Sequence, residues 1–194
     1  SSFCPSYGLA EATLAVSIMP PGEGIRVELV EESELSGAGT PEQERPRRYR
    51  AIVNCGKPVT GMEVEIRDAD GAILADRSIG KVFCRGSSVM VGYFRDQEST
   101  DACLSGDGWL DTGDMGYMSD GYIFIVGRAK DMIIINGKNH WPQDIEWAVE
   151  QLPGFKQGDI AAFAITGPTG EETPAVLVHC RVTPLAVGLT IAPC

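Results

Sequence analysis

Apolar positions change their spacing along this 194-residue chain. Through "GMEVEIRD" (61–68) and "GKVFCRG" (80–86) they alternate with polar ones, the period of a strand with one covered face. The turn-forming "DADG" (68–71) between them predicts an antiparallel pair. "MGYMSDGYIFIVG" (115–127) predicts a second hairpin with Asp120-Gly121 at its tip. "RDQESTDACL" (95–104) reads as a helix interrupting the strands, with Asp96 as its N-cap. Earlier, a loop leads into a short helix around Glu11–Val16. Ile25, Val27 and Leu29 then alternate with Arg26 and Glu28, which predicts a strand over Ile25–Val30.

After residue 131 the pattern changes. "MIIIN" (132–136) is a continuous apolar run, as expected of a covered strand. "WPQDIEWAVEQLPG" (141–154) predicts a helix with Pro142 in its first turn, one face made by Ile145, Val149 and Leu152, and a stop at Pro153-Gly154. "DIAAFAIT" and "PAVLVHCRV" predict two more strands. The chain is therefore read as α+β: a β-rich, distorted barrel-like body over 1–129 and a small α+β unit over 130–194. "RAKD" (128–131) separates two apolar runs but lacks the residues a tight hairpin needs at positive φ, so a joint between bodies is favoured there.

Composition narrows the classes. At 43% hydrophobic and 22% charged the chain is globular rather than disordered. A net charge of −11 disfavours nucleic acid, whose phosphates need clustered Lys and Arg, and disfavours an anionic membrane surface. The one dense basic patch, "RPRRYR" (45–50), follows an acidic stretch that it balances. No apolar run approaches ~20 residues, the length of a membrane span. The opening residues lack the basic start of a signal peptide. Six cysteines are scattered without a C-x-x-C pair, which points to reduced thiols and a cytoplasmic setting.

Several chemistries drop out. Two isolated histidines do not make a His-rich metal site, no G-x-S-x-G is present, and "DADGAIL" lacks the ligands of a calcium loop. Four stretches remain. "SYGLAEA" places Tyr7, Gly8 and Glu11 in a loop, where an aromatic face can stack on a base and a carboxylate can hold Mg²⁺ at phosphates; a core tyrosine is the plain alternative. In "GWLDTGD" (108–114), a polar stretch beside a strand end, Asp114 can accept hydrogen bonds from a ribose diol or can merely close a turn. Arg128 in "GRAKD" can meet a phosphate or make a surface salt bridge. Asn136-Gly137 can bring backbone near a ligand or simply join a strand to a helix.

In order, Y-G-L-A-E, G-Y-F, D-T-G-D, G-R-x-K-D and N-G-K-N resemble the motifs of the adenylate-forming superfamily of acyl- and aryl-CoA ligases, luciferases and peptide-synthetase adenylation domains. "YGLAEATL", "GSSVMVGYF" and "IIINGKNHWPQDIEW" look like the fatty acyl-AMP ligase versions. The resemblance covers nearly all of residues 3–182. It implies ATP/AMP and Mg²⁺ as cofactors. Tyr7 would stack on adenine, Gly8 and Ala10 would line the nucleotide beside it, and Glu11 would coordinate the metal. Ala10 stands where many relatives carry threonine, so a hydroxyl contact to phosphate is lost. Asp114 would hold the ribose hydroxyls, and Arg128 the ribose or α-phosphate. Lys130 would be the hinge, near 128–131, of a C-terminal lid. Gly137 would approach the thiol-accepting configuration.

The implied reaction activates a fatty acid as acyl-adenylate and passes it to the phosphopantetheine thiol of an acyl carrier protein. Alternatives are transfer to coenzyme A, or a non-catalytic binding module of the same fold. A polar stretch between about Gly24 and Ala51 occupies a plausible place for the extra segment by which acyl-AMP ligases restrain the lid. The sequence contains neither the superfamily's phosphate loop with its lysine nor its C-terminal catalytic lysine; Lys156 does not match. A fragment, inactive by itself, is therefore expected, comprising the end of the large domain and the start of the lid.

Overall fold

A computed structural model describes residues 3–31, 49–135, 138–167 and 172–179. Its residues fall into two units, Ser1–Met132 and Ile133–Cys194.

The first unit is built almost wholly from antiparallel strands. In chain order they are β1 (Ser6–Tyr7), β2 (Ser17–Ile18), β3 (Val27–Glu31), β4 (Tyr49–Val53), β5 (Lys57–Pro58), β6 (Met62–Arg67), β7 (Gly80–Gly86), β8 (Leu110–Ser119) and β9 (Tyr122–Arg128). Strands β6-β7-β8-β9 make a four-stranded sheet, β1-β2-β5 a three-stranded one and β3-β4 a pair. Among the described residues these sheets are open, so the barrel-like expectation reduces to separate sheets bridged by short contacts. One such bridge runs through residues 54–56: Cys55 N–H donates to Ile123 O at 2.8 Å and Ile123 N–H to Gly56 O at 2.9 Å.

Local chemistry explains most elements. The β6–β7 alternation buries Met62, Ile66, Val82 and Cys84 on the core side. Asp120 and Gly121 at the β8–β9 turn have φ of 52° and 78°, the paired positive values that a two-residue hairpin needs. Helix α1 (Gln97–Cys103) starts at Asp96, whose carboxylate accepts from Ser99 N–H at 3.0 Å.

One expectation in this unit is corrected, and the facing of one expected strand is set by distant partners. The helix around Glu11–Val16 is a single 3₁₀ turn, Ala10–Ala12, because Thr13 and Leu14 follow with φ of 55° and 77°, outside any right-handed helix. Strand β3 exists, but its aliphatic side faces out: Leu29 is 67% exposed, and it is Val30 that is buried. Glu28 points inward instead. Its carboxylate accepts from Tyr117 Oη at 2.8 Å and pairs with Arg77, and those partners offset the cost of its partial burial.

The second unit contains β10 (Ile133–Ile135), β11 (Lys138–His140), helix α2 (Pro142–Glu150), β12 (Ile160–Thr166) and β13 (Glu172–Val178). Strands β10 and β11 pair with each other, as do β12 and β13. The isoleucine run is consequently not covered on both sides: Ile133 is buried, whereas Ile134 is 48% exposed. Pro142 takes the first helical position, where a missing N–H costs nothing. Ile145 and Val149 are half-buried, but Leu152 lies past the helix end and is exposed, against the expected three-residue face. The buried anchor is Trp141, just ahead of the helix.

No helix among the described residues is long and apolar enough to cross a membrane. Cys4, Cys55, Cys84 and Cys103 are free thiols.

Candidate functional site

Tyr7 ends β1 and packs against the core of the first unit, beside Ala12, Val16, Cys84 and Leu110. Its position depends on the loop that follows. Val16 N–H returns to Tyr7 O at 3.0 Å and Leu14 N–H to Leu9 O at 3.0 Å, drawing the chain back on itself. Leu14 O then lies so close to Gly8 that a β-carbon there would sit 1.4 Å from it. Gly8 is thus required by backbone packing, independently of any ligand.

Asp114 is placed by a bulge within β8 rather than by a turn beside a strand end. Lys81 pairs with Met115 and Phe83 with Asp111, leaving Thr112, Gly113 and Asp114 opposite Val82 alone. The bulge is held by its own side chains. Thr112 Oγ1 donates to Val82 O at 2.8 Å and accepts from Asp114 N–H at 3.2 Å, and the Asp111 carboxylate accepts from Gly113 N–H at 2.9 Å. "DTGD" therefore encodes a strand irregularity that presents one carboxylate. At the start of the "GWLDTGD" stretch, Arg67 and Arg85 both lie over the ring of Trp109, their guanidinium carbons 4.7 and 4.6 Å from its centre.

Three of the expected residues meet here. Tyr7 Oη donates to Asp114 Oδ2 at 2.6 Å. Arg128 Nε contacts Asp114 Oδ1 at 3.0 Å, across the β8–β9 pair in which these two residues are partners. Asp114 is 6% exposed, while the Arg128 side chain is half-exposed. Burial, and next the hydrogen bond to Asp114, push the Tyr7 phenol well above its ordinary range, so it remains a donor.

Glu11 forms a second cluster, one 3₁₀ turn along the chain. Its Oε1 accepts from Tyr93 Oη at 2.8 Å, and its carbonyl accepts from Met90 N–H at 2.7 Å. That acceptance, with a lesser contribution from burial, pushes the Tyr93 phenol up to about 12. Among the described residues no hydrogen bond or ion pair joins Glu11 to Asp114. Ala10 begins the 3₁₀ turn and is exposed. Lys130 is also exposed, in a second 3₁₀ turn, Ala129–Asp131, after which the first unit ends at Met132. Gly137, and most of the 24–51 stretch, lie outside the described residues.

Sequence reasoning gave no role to Tyr93 or Thr112. Both lie inside motifs already quoted, G-Y-F and D-T-G-D, but the partners that define them are 82 and 30 residues away.

Residues 2–94 match the family model described as AMP-binding enzyme. A Caulobacter vibrioides protein carrying the provisional name acyl-CoA synthetase is 45% identical over 93% of this chain and 32% of its own length. Over residues 2–94 the chain is therefore similar to the AMP-binding enzymes. Another relative is a medium-chain-fatty-acid–[acyl-carrier-protein] ligase from Moorena producens, 38% identical over 83% of this chain and 29% of that protein. Among solved structures, one from work on fatty acyl-adenylate ligases of E. coli and L. pneumophila aligns at a TM-score of 0.78 with 40% identity. It covers 95% of this chain and 33% of its own. The McyG A-PCP structure complexed with phenylalanyl-adenylate aligns at 0.64 with 30% identity, over 89% of this chain and 28% of its own. The chain thus spans about a third of the length of these relatives.

Proposed function

We propose that this chain supplies the nucleotide-binding end of the large domain, and the start of the lid, of an ATP-dependent fatty acyl-AMP ligase. The observation that carries this reading is the meeting of Tyr7, Asp114 and Arg128 around one buried carboxylate, on a fold shared with structures of adenylate-forming proteins.

Asp114 Oδ2 accepts the Tyr7 hydrogen bond, Oδ1 makes the ion pair with Arg128, and each oxygen keeps a further lone pair, so the carboxylate can receive the two hydroxyls of a ribose. Tyr7 fixes the carboxylate from the core side and offers its ring to adenine. Arg128 uses Nε on Asp114, and its terminal nitrogens take no hydrogen bond among the described residues, which leaves them for ribose or the α-phosphate. Lys130, exposed just beyond, is the hinge of the lid, and Gly137 serves the thiol-accepting configuration.

Among the described residues no group of three or more His, Cys, Asp or Glu side chains is arranged around a metal. Glu11 alone offers hard oxygen donors, which fits Mg²⁺ held chiefly by phosphate oxygens and water. When bound, the ion supplies charge neutralisation at the phosphates. The fatty carboxylate attacks the α-phosphorus of ATP and pyrophosphate leaves; the acyl group of the mixed anhydride then passes to a thiol, releasing AMP. This chain's residues contribute orientation and electrostatics rather than covalent chemistry. The acceptor in this reading is a carrier-protein phosphopantetheine, supported by the name of the Moorena relative; the Caulobacter name favours coenzyme A.

Fatty-acid-dependent ATP–pyrophosphate exchange by the full-length protein is the test, followed by thioester formation with holo carrier protein against coenzyme A. Exchange that requires a fatty acid, with preferential loading of the carrier, is expected, and the isolated 194-residue chain is expected to show none. Absence of exchange in the full-length protein would leave a non-catalytic binding module; preferential coenzyme A loading would assign the other ligase class.

A further inference from the structure

Tyr93 has no part in the nucleotide cluster, yet among the described residues it is the single side chain that hydrogen-bonds Glu11. Its own placement is built from two directions. Its backbone N–H donates to Thr100 Oγ1 at 2.9 Å, and Thr100, buried in α1, is fixed in turn because the same hydroxyl donates to Asp96 O at 2.7 Å. Helix α1 is thereby tied to the loop before it. The loop is also tied to the 3₁₀ turn of Glu11: Met90 N–H reaches Glu11 O at 2.7 Å and Thr13 Oγ1 donates to Ser88 O at 2.8 Å. The hydroxyl of Tyr93 arrives at Glu11 from a frame anchored on both sides.

The geometry at the carboxylate is asymmetric. Oε1 accepts from Tyr93, and Oε2 takes no hydrogen bond among the described residues. A flexible glutamate that loses its rotamer freedom before a cation arrives has less entropy left to lose on binding. The hydrogen bond also satisfies the oxygen that a singly coordinated cation leaves over.

We propose that Tyr93 is a positioning residue: it holds Glu11 with one oxygen engaged and the other presented to the metal–nucleotide complex. This rests on the assignment of Glu11 to the divalent cation. Tyr93 touches neither substrate nor metal in this scheme and acts through Glu11 alone.

The test uses the full-length protein and Mn²⁺ with ATP, reading free Mn²⁺ by electron paramagnetic resonance so that binding is seen without turnover. Y93F removes one hydroxyl from a side chain that is 40% exposed, and its melting temperature is expected to match the parent. Loss of a hydrogen bond to a ligating carboxylate is expected to weaken Mn²⁺ in the ternary complex by about tenfold. E11Q is expected to weaken it at least as much, and the double variant no more than E11Q alone, since both changes act on one interaction. Parental Mn²⁺ affinity in Y93F beside a weakened E11Q would overturn the positioning role and leave the Glu11 assignment standing. Parental affinity in both would remove that assignment and this inference with it. Fully additive losses in the double variant would also overturn it, by showing that Tyr93 acts elsewhere than through Glu11.

Discussion

Asp114 and Glu11 are single carboxylates set by short motifs, and the fold treats them in opposite ways. Asp114 is buried, gripped on one oxygen by a phenol from β1 and on the other by a guanidinium from β9. Glu11 stands on one 3₁₀ turn with, among the described residues, a single side-chain partner and an open second oxygen. The difference teaches that the first carboxylate is part of the architecture whatever it binds, whereas the second can be changed without touching the core. Substitution should therefore cost stability at one and function alone at the other.

The strongest attempt to break that contrast is Asp114→Ala. It leaves the Tyr7 hydroxyl without its acceptor in a partly buried place and removes the anchor of Arg128. The arginine is half-exposed and can turn to water, so the cost falls mainly on the tyrosine and on its lost hydrogen bond to a charged acceptor, about 2–3 kcal/mol. Chemical denaturation of the 194-residue chain measures it. A loss below about 0.5 kcal/mol, the range of ordinary surface substitutions, would show that the cluster is not structural.

This architecture was legible in the sequence only where the signals were local. The Asp120-Gly121 hairpin, the Asp96 cap and Pro142 at its helix start depend on neighbours within a few residues, and chain chemistry fixes them. β3 was legible as a strand, but alternation gives the period and not the side: Glu28 turned inward because Arg77 and Tyr117, both distant in sequence, supply partners. For the site, residue order marked Tyr7, Asp114 and Arg128, but nothing local says that a tyrosine 107 residues upstream donates to that aspartate. Nor could D-T-G-D be read as a bulge, since the opposing Val82 is set by strand pairing. Tyr93 was invisible as a partner of Glu11 for the same reason.

Tyr7→Phe sharpens the contrast at lower cost. It deletes one hydrogen bond to a carboxylate that keeps Arg128, for an expected loss of about 1–2 kcal/mol near neutral pH. It also carries a pH signature. Burial and Asp114 raise the folded-state pKa of this phenol, while in the unfolded chain it ionises near its ordinary 10.0. Its contribution is thus complete below that value and is lost as the pH rises beyond it, because only the unfolded state then releases the proton. One such group steepens the alkaline fall of stability by about 1.4 kcal/mol per pH unit. Denaturation series between pH 9 and 11, roughly the window around a tyrosine pKa, are expected to show a shallower fall in Y7F than in the parent. Identical slopes would mean that the Tyr7 phenol titrates freely and that the cluster is looser than its geometry.

The smallest expected effect on stability is the most diagnostic for the other half of the contrast. In Glu11→Gln the amide oxygen can still accept from Tyr93 Oη, so the hydrogen bond survives and only the charge is lost. The 3₁₀ turn keeps its backbone bonds, Ala12 N–H to Leu9 O and Thr13 N–H to Ala10 O, both 3.1 Å. The unfolding midpoint is therefore expected to match the parent, with a change within about 0.5 kcal/mol. A loss above roughly 1 kcal/mol, the usual worth of a structural hydrogen bond, would place Glu11 in the architecture beside Asp114. A stable E11Q whose Mn²⁺–ATP binding is weakened would instead tie the open carboxylate to the cation and the buried one to the fold.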